Sequence, residues 1–238
     1  MEYLKIAVLN NSGNVGKSTI CQTFLMPRLP NAELIRVETI NTDGIESEGI
    51  SAKDMTNVIQ QIDLGNIVVI DVGSSNIENF MMGLKRNTGS HEDIDFFLIP
   101  TTPETKQQKD TVSTIDNLLD LGVSPSSLIV LLNKVDESVN IERQFQTLIE
   151  ADLLKTIGRK SLTELPAIFN SEIFNLLEQI KCTFSDALED ETDYKSAIRE
   201  TEDKTERAIL SIKRTANRLA VSHALKLDAE FAKLSLTA

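Results

Sequence analysis

Short runs of apolar residues alternate over the first two thirds of the chain with longer segments in which apolar residues recur every three or four positions. The runs have the length of β-strands, and the longer segments have the spacing of amphipathic helices. Two runs, IVVI at 67–70 and LIVLL at 128–132, are apolar at every position, as in strands that are covered on both faces. This order predicts an α/β fold with a doubly wound, mainly parallel sheet. We predict strands at 3–9, 33–37, 67–70, 95–99, 127–132 and 166–169, and helices at 17–25, 52–62, 76–86, 104–121 and 140–157.

The chain beyond residue 170 has helical spacing only, with one helix predicted at 171–188 and a long one at 194–234. Apolar residues of the long helix recur from Ile209 to Leu234 every three or four positions, which gives one apolar stripe. A helix with one such stripe usually buries it against its own domain. We therefore expect an α/β domain at 1–170 and helices at 171–238 that pack on the same domain.

Charge and composition exclude several classes of protein. The chain of 238 residues has a formal net charge of −12, so its overall field repels nucleic acid. A basic cluster in the last helix, with Arg207, Arg214 and Arg218 near one side, leaves only local and nonspecific contact with DNA. Two cysteines are too few for a disulfide framework, and no apolar segment is long enough to cross a membrane. We therefore expect a cytoplasmic protein without a membrane partner.

The stretch NNSGNVGKST lies between the first predicted strand and the first predicted helix. Main-chain N–H groups at the N-terminus of a helix bind phosphate at this place in many α/β folds. Against the pattern G-x-x-x-x-G-K-[ST], Asn11 replaces the first glycine, whereas Gly16, Lys17 and Ser18 are kept. Lys17 would contact the β- and γ-phosphates, the Ser18 hydroxyl would ligate Mg²⁺, and Thr19 would donate to the α-phosphate. Because asparagine adopts a positive φ more readily than other non-glycine residues, we expect the loop to close despite Asn11.

The same stretch resembles the deviant Walker A motif of the ParA/MinD group of P-loop ATPases, which partition plasmids and position division proteins. Within that group the chain is most similar to StbB-like plasmid stability proteins. The family pattern K-G-G-x-G-K-[ST]-T falls on residues 12–19, where Ser12 and Asn14 replace a lysine and a glycine. The resemblance implies that ATP or ADP is bound by Gly13, Asn14, Val15, Gly16, Lys17, Ser18 and Thr19.

Two replacements bear on catalysis. In the family the lysine at the place of Ser12 reaches the γ-phosphate of the partner subunit, and a serine cannot supply its charge. The second predicted strand leads into VETIN, where the family usually has two acids. Glu38 takes the first of these places, but Ile40 takes the second and cannot orient the attacking water. Asp43 is either a substitute for that acid or a solvent-exposed loop residue. The resemblance therefore implies a slow P-loop ATPase.

Asp71 follows the apolar run at 67–70, where the family has its Walker B acid. A carboxylate beside Mg²⁺ and phosphate is a recurring arrangement in nucleotide sites. The resemblance implies that Asp71 holds Mg²⁺ through water, with Ser18 as the direct ligand. Lys17 and Asp71 are accordingly the predicted catalytic residues.

The base-binding prediction rests on NKVD, which follows the strand predicted at 127–132. The resemblance places Asn133 at the adenine edge and Asn170 beside the base. N-K-x-D is also the guanine-binding motif of small GTPases, in which Asp136 would accept hydrogen bonds from guanine. ATP is favoured because the rest of a GTPase pattern is missing: the glycine after Asp71 comes one place early.

The function implied by the resemblance is a molecular switch. ATP and Mg²⁺ would close two copies into a homodimer, and the dimer would bind a DNA-binding adaptor protein, with additional DNA contact through Arg207, Arg214 and Arg218. Such a switch would act in plasmid partition, plasmid stability or conjugative transfer. Two alternatives stay open: a GTPase switch, and an ATP-dependent ligase or kinase of the dethiobiotin synthetase type.

Overall fold

The computed structural model describes residues 2–38, 50–51 and 54–236. Its strands are β1 (Leu4–Val8), β2 (Glu33–Glu38), β3 (Ile50–Ser51), β4 (Ile67–Val72), β5 (Phe96–Thr101), β6 (Leu128–Val135) and β7 (Ala167–Phe169). They form one sheet in the order β3-β2-β4-β1-β5-β6-β7, and all of the neighbouring pairs are parallel. The predicted fold class is therefore confirmed. Every predicted strand is present, and β3 is additional because two residues are too short to give a pattern.

The helices are α1 (Lys17–Ile20), α2 (Met55–Leu64), α3 (Ile77–Arg86), α4 (Thr105–Leu121), α5 (Ile141–Gln144), α6 (Gln146–Glu150), α7 (Leu153–Thr156), α8 (Ile173–Ile180), α9 (Phe184–Glu189), α10 (Tyr194–Glu200) and α11 (Lys204–Ala232). A π-helical turn, Cys21–Leu25, and a 3-10 turn, Met26–Arg28, continue α1. None of the helices in the described ranges is long and apolar enough to cross a membrane.

Three predicted helices are interrupted in the structure, and side-chain caps accompany the breaks in two of them. The segment predicted at 140–157 divides into α5, α6 and α7, with Asp152 in the left-handed region before α7. The segment at 171–188 is divided by Lys181, which is also left-handed, and by Thr183, which forms a capping box for α9. The segment at 194–234 is divided before α11, where the Asp203 carboxylate accepts from the main-chain N–H of Glu206 at 2.8 Å. Caps of this kind start a new helix even where the apolar spacing continues.

The described chain divides into two compact units. The first contains the sheet and the chain from Phe231 onward; within it, the Phe231 and Phe24 rings meet edge to face with centroids 5.7 Å apart. The second unit comprises residues 170–230, and His223 packs there between the rings of Phe174 and Phe184. The predicted apolar stripe of α11 is buried at Ala216, His223 and Leu227, whereas Ile209 at its start is 47% exposed.

Candidate phosphate-binding site

The phosphate loop, residues 9–16, connects β1 to α1 at the carboxyl edge of the sheet. In the register of β1 and β4, Val8 lies opposite Asp71, so the loop begins beside the end of β4. Gly16 precedes α1 in the left-handed conformation, with φ 84°. A β-carbon at this position would lie 2.7 Å from Asn133 Nδ2. Both the backbone angle and this close approach therefore require glycine at position 16.

The phosphate loop closes with Asn11 in place, as expected, but for a different reason. The described part of the phosphate loop has its positive φ at Gly16, and φ is not positive at Asn11. The main-chain N–H of Asn11 donates to Thr114 Oγ1 at 3.1 Å. Asparagine can therefore replace the first glycine of the pattern because the chain there does not need the conformational freedom of glycine.

Lys17 begins α1 and is only 5% exposed. Its ammonium donates to the main-chain oxygen of Ser12 at 2.7 Å and to that of Asn10 at 3.2 Å. Burial lowers the pKa of Lys17 to about 8, and the nearby Asp71 carboxylate opposes that shift. An ammonium held by two carbonyl oxygens can exchange them for the oxygens of an anion, to which its hydrogen bonds are stronger.

Asp71, near the end of β4, is 3% exposed. Its Oδ1 atom has no hydrogen-bond partner within the part of the chain that the structure describes. Buried carboxylate oxygens are normally paired because an unpaired one has lost its hydration without replacement. The atom is therefore suited to a cation or to the hydration water of a cation.

The remaining predicted phosphate ligands surround this buried pair. Ser18 and Thr19, in the first turn of α1, have exposed side chains, as does Asn14 in the loop, whereas Val15 is buried. A β-carbon at Gly13 would lie 3.3 Å from Ser74 Oγ, so the loop closely approaches the turn that follows β4. Within residues 2–38, 50–51 and 54–236, no three His, Cys, Asp or Glu side chains are grouped to hold a metal. A metal at this site would therefore need hydroxyl, phosphate or water ligands as well.

Asn133, in β6, contacts the phosphate loop itself. Its side-chain amide donates to the main-chain oxygen of Val15 at 2.8 Å, and its Oδ1 accepts from the main-chain N–H of Lys134 at 2.9 Å. Asn133 is 8% exposed. In this conformation both of its polar groups are engaged by main-chain atoms, so its direct role is to hold the loop beside β6. Its predicted contact with adenine stays a prediction.

Asp136 is exposed, and its carboxylate is engaged by the following turn. Its Oδ1 accepts from the main-chain N–H of Ser138 at 2.8 Å and from the Ser138 hydroxyl at 2.7 Å. These bonds hold the pKa of Asp136 below its ordinary value. Asn170 directly follows β7 and is exposed. The first unit thus brings together the phosphate loop, Lys17, Asp71 and Asn133, whereas Asp136 stabilises a turn.

Asn10, which the sequence did not indicate as a functional residue, is fully buried at the start of the phosphate loop. Its side-chain amide donates to the Pro100 oxygen at 2.9 Å and to Thr111 Oγ1 at 2.8 Å, and its Oδ1 accepts from the Ser12 N–H at 2.8 Å. The only signal in the sequence is a polar residue directly after an apolar strand, and this also describes an ordinary turn.

Other predicted positions lie in three different places. Ile40 and Asp43 lie outside the described residues. Ser12 is 8% exposed, and its main chain contacts Asn10 and Lys17. The basic residues Arg207, Arg214 and Arg218 all lie on α11 in the second unit.

Comparison with protein-family models gives no match for this sequence, and comparison with curated proteins gives none either. Solved structures match over most of the chain. The cell division ATPase MinD of Pyrococcus furiosus matches with a TM-score of 0.52 and 14% identity, over 99% of this chain and 100% of that one. MinD of Pyrococcus horikoshii, complexed with Mg-ADP, has a TM-score of 0.47 and 12% identity, over 93% and 98%. A plasmid partition protein of Borrelia burgdorferi has a TM-score of 0.44 and 17% identity, over 71% and 91%. From the first of these matches, the chain has the fold of MinD, a parallel sheet with flanking helices.

Proposed function

We propose that this chain is an ATP-dependent molecular switch of the ParA/MinD type and a slow P-loop ATPase. The observation that carries the proposal is the pair of buried, opposite charges at the carboxyl edge of the sheet. Lys17 donates to two carbonyl oxygens of its own loop, and Asp71 keeps an unpartnered carboxylate oxygen within electrostatic reach of it. A Mg²⁺ ion with a triphosphate is a ligand that satisfies both groups at once.

The bound nucleotide would be held mainly by the phosphate loop. Main-chain N–H groups between Gly13 and Lys17 would face the phosphates, and Thr19 would donate to the α-phosphate. Oxygens of the β- and γ-phosphates would replace the Asn10 and Ser12 carbonyls on Lys17. The Ser18 hydroxyl would ligate Mg²⁺ directly, and Asp71 would hold its water shell. Mg²⁺ would supply charge neutralisation at the phosphates.

We propose ATP rather than GTP as the nucleotide. Oδ1 of Asp136 accepts two hydrogen bonds from Ser138, and the carboxylate keeps acceptor sites on its second oxygen, so these contacts do not decide between the two bases. ATP is favoured because the glycine after Asp71 comes one place earlier than in a GTPase pattern. The adenine contacts of Asn133 and Asn170 are part of this proposal.

The uncharged side chain at position 12 is the reason to expect slow hydrolysis. The switch model needs a second copy of the chain to close over the γ-phosphate, and Ser12 carries no charge for that contact. Lys106 and Lys109 are exposed on α4, and either could supply the missing cation from the partner subunit. Function would then come from the different stabilities of the open and closed states rather than from a chemical product.

The proposal extends to the partner of the switch and to the process in which it acts. We expect the closed homodimer to bind a DNA-binding adaptor protein in plasmid partition, plasmid stability or conjugative transfer. Arg207, Arg214 and Arg218 would add nonspecific contacts with DNA phosphates. Replacing all three by glutamate should abolish any retention of the closed dimer on DNA and leave ATP binding unchanged; retained DNA binding would remove these residues from the proposal.

The experiment that tests the proposal is calorimetry with Mg-ATP and Mg-GTP, combined with light scattering after size exclusion. We expect ATP binding and a doubling of mass with a nonhydrolysable analogue. Lys17→Ala should abolish both, whereas Lys85→Ala, a change of an exposed lysine on α3, should alter neither. Absence of any nucleotide binding would contradict the proposal. ATP consumption that strictly depends on an added small carboxylate or amine would favour the ligase or kinase alternative.

A further inference from the structure

The Asn10 side chain joins the phosphate loop to two neighbouring elements. Its amide N–H groups reach the Pro100 oxygen in β5 and the Thr111 hydroxyl in α4, and its Oδ1 accepts from Ser12. Every polar atom of this fully buried side chain is therefore engaged. An arrangement of this kind fixes the position of the loop against β5 and α4.

The same two loop residues also hold Lys17. The main-chain oxygens of Asn10 and Ser12 are its acceptors, at 3.2 Å and 2.7 Å. An anion that draws the ammonium away removes a hydrogen bond from each of these carbonyls. The loss of these hydrogen bonds on anion binding therefore begins next to the groups that contact α4. These groups are the Asn10 side chain and the Asn11 N–H.

Two threonine hydroxyl groups of α4 accept hydrogen bonds from the phosphate loop. Thr111 Oγ1 donates to the Gln107 oxygen at 2.8 Å, and Thr114 Oγ1 donates to the Asp110 oxygen at 2.7 Å. With its proton used inside the helix, each hydroxyl can only accept from the loop, and the donors are Asn10 Nδ2 and the N–H of Asn11. Both threonines are buried. Helix α4 thus fixes the orientation of each hydroxyl oxygen, and the loop donates a hydrogen bond to it.

We infer that Asn10, Thr111 and Thr114 are positioning residues that make the position of α4 depend on the occupancy of the phosphate loop. The inference rests on the proposed function, since it requires a phosphate ligand in the loop. The exposed residues Lys106, Lys109 and Ser113 lie on α4, so a shift of this helix also moves these side chains at the protein surface. By reciprocity, a contact that shifts α4 from outside changes the nucleotide affinity by the same factor.

The test compares hydrogen exchange of main-chain amides with and without Mg-ATP in three full-length proteins. They are the unaltered chain, Thr111→Val with Thr114→Val, and Thr111→Ser with Thr114→Ser. Valine keeps the shape and removes the acceptor, whereas serine keeps the acceptor. In the unaltered chain and the serine variant, we expect exchange to change in the loop and in α4 together. In the valine variant the loop should still respond, the α4 response should be lost, and ATP affinity should fall about five- to a hundredfold, the range of the two hydrogen bonds removed.

The outcomes separate this inference from the proposed function. A loop that responds to Mg-ATP beside an unresponsive α4 in the unaltered chain overturns the inference and leaves the proposed function standing. A valine variant with an intact α4 response also overturns it. No response in the loop of the unaltered chain overturns the proposed function itself. Should the double valine variant fail to fold, Thr114→Val alone removes one of the two contacts between the loop and α4, the one from the Asn11 N–H, and should reduce the α4 response by itself.

Discussion

At the scale of single residues, the site depends on two charges that the fold takes out of water. Burial disfavours the ammonium of Lys17, and the carboxylate of Asp71 restores part of the lost stabilisation. Neither charge is fully satisfied by the chain, because Lys17 has only carbonyl partners and Asp71 Oδ1 has none among the described residues. The fold thus keeps a costly arrangement that a bound anion and cation together would relieve.

The lowered pKa of Lys17 leads to opposite effects of pH on stability and on binding. The folded chain releases this proton near pH 8, whereas an unfolded lysine keeps it up to about 10.5. Between these values the unfolded chain binds more protons, so this group makes the free energy of unfolding rise with pH. Phosphate needs the charged form, so we expect ATP affinity to fall over the same interval. Calorimetry and denaturant unfolding from pH 7 to 10 measure both, and an affinity that is constant across pH 8–10 would contradict the assignment.

Asp71→Asn tests the role of the unpartnered oxygen. The amide keeps the shape of the side chain and removes its charge, so Mg²⁺ should no longer strengthen ATP binding. We expect a loss of about ten- to a hundredfold in Mg²⁺-dependent affinity, the usual effect of removing an outer-shell partner of a metal. Binding in EDTA should change little. Asp93→Asn, at an exposed position, is the control, and an unchanged Mg²⁺ dependence in Asp71→Asn would exclude a metal role for Asp71.

At the scale of elements, the sequence predicts the sheet well and the polar contacts around the loop poorly. The central strands are apolar on both faces, so each leaves a continuous run that stands out in the sequence. Gly16, Lys17 and Asp71 were predicted from their spacing and context, and the structure places them at the same edge of the sheet. Asn10, Thr111 and Thr114 left no such signal, since their roles depend on contacts between residues that lie about a hundred positions apart. The breaks at Thr183 and Asp203 were missed because side-chain caps interrupt α-helices without changing the apolar spacing.

The end of α4 depends on Gly122, which is left-handed with φ 102°. Its N–H and that of Val123 both return to the Leu118 oxygen, so the last turn is closed by main-chain bonds. We expect Gly122→Ala to lower the free energy of unfolding by about 1–2 kcal/mol because alanine disfavours this conformation. Gly122→Asn places the same β-carbon near His91 but tolerates the conformation better, so its loss should be about half. Equal losses in denaturant unfolding would show that the contact with His91 dominates.

At the scale of the whole molecule, the chain leaves the first unit after Phe169 and returns to it at Phe231. The returning segment contributes Leu234 and Leu236, both buried, and the Phe231 ring that meets Phe24. The last residues of the described chain are therefore part of the core of the unit that carries the phosphate loop. The apolar stripe of α11 continues without interruption through Phe231, so the pattern in the sequence does not mark where the chain returns to the first unit.

Leu234→Ala should therefore destabilise the first unit. Leu234 is 2% exposed, whereas Leu225 in the same helical region of the sequence is 67% exposed. We expect a loss of about 2–4 kcal/mol for Leu234→Ala and less than about 0.5 kcal/mol for Leu225→Ala. Thermal unfolding with and without nucleotide measures both variants. Equal effects of the two substitutions would contradict the placement of the terminal segment in the core.

The double attachment of residues 170–230 has a practical consequence for anyone who wishes to study the nucleotide unit by itself. A gene shortened at codon 170 would discard Phe231, Leu234 and Leu236 and leave Phe24 without its aromatic neighbour. Excision of the inserted stretch, with Phe169 rejoined to Phe231 through a flexible spacer, would keep that neighbour in place. The two deletions differ by only a handful of amino acids, yet we expect the first to yield an aggregating product and the second a foldable one.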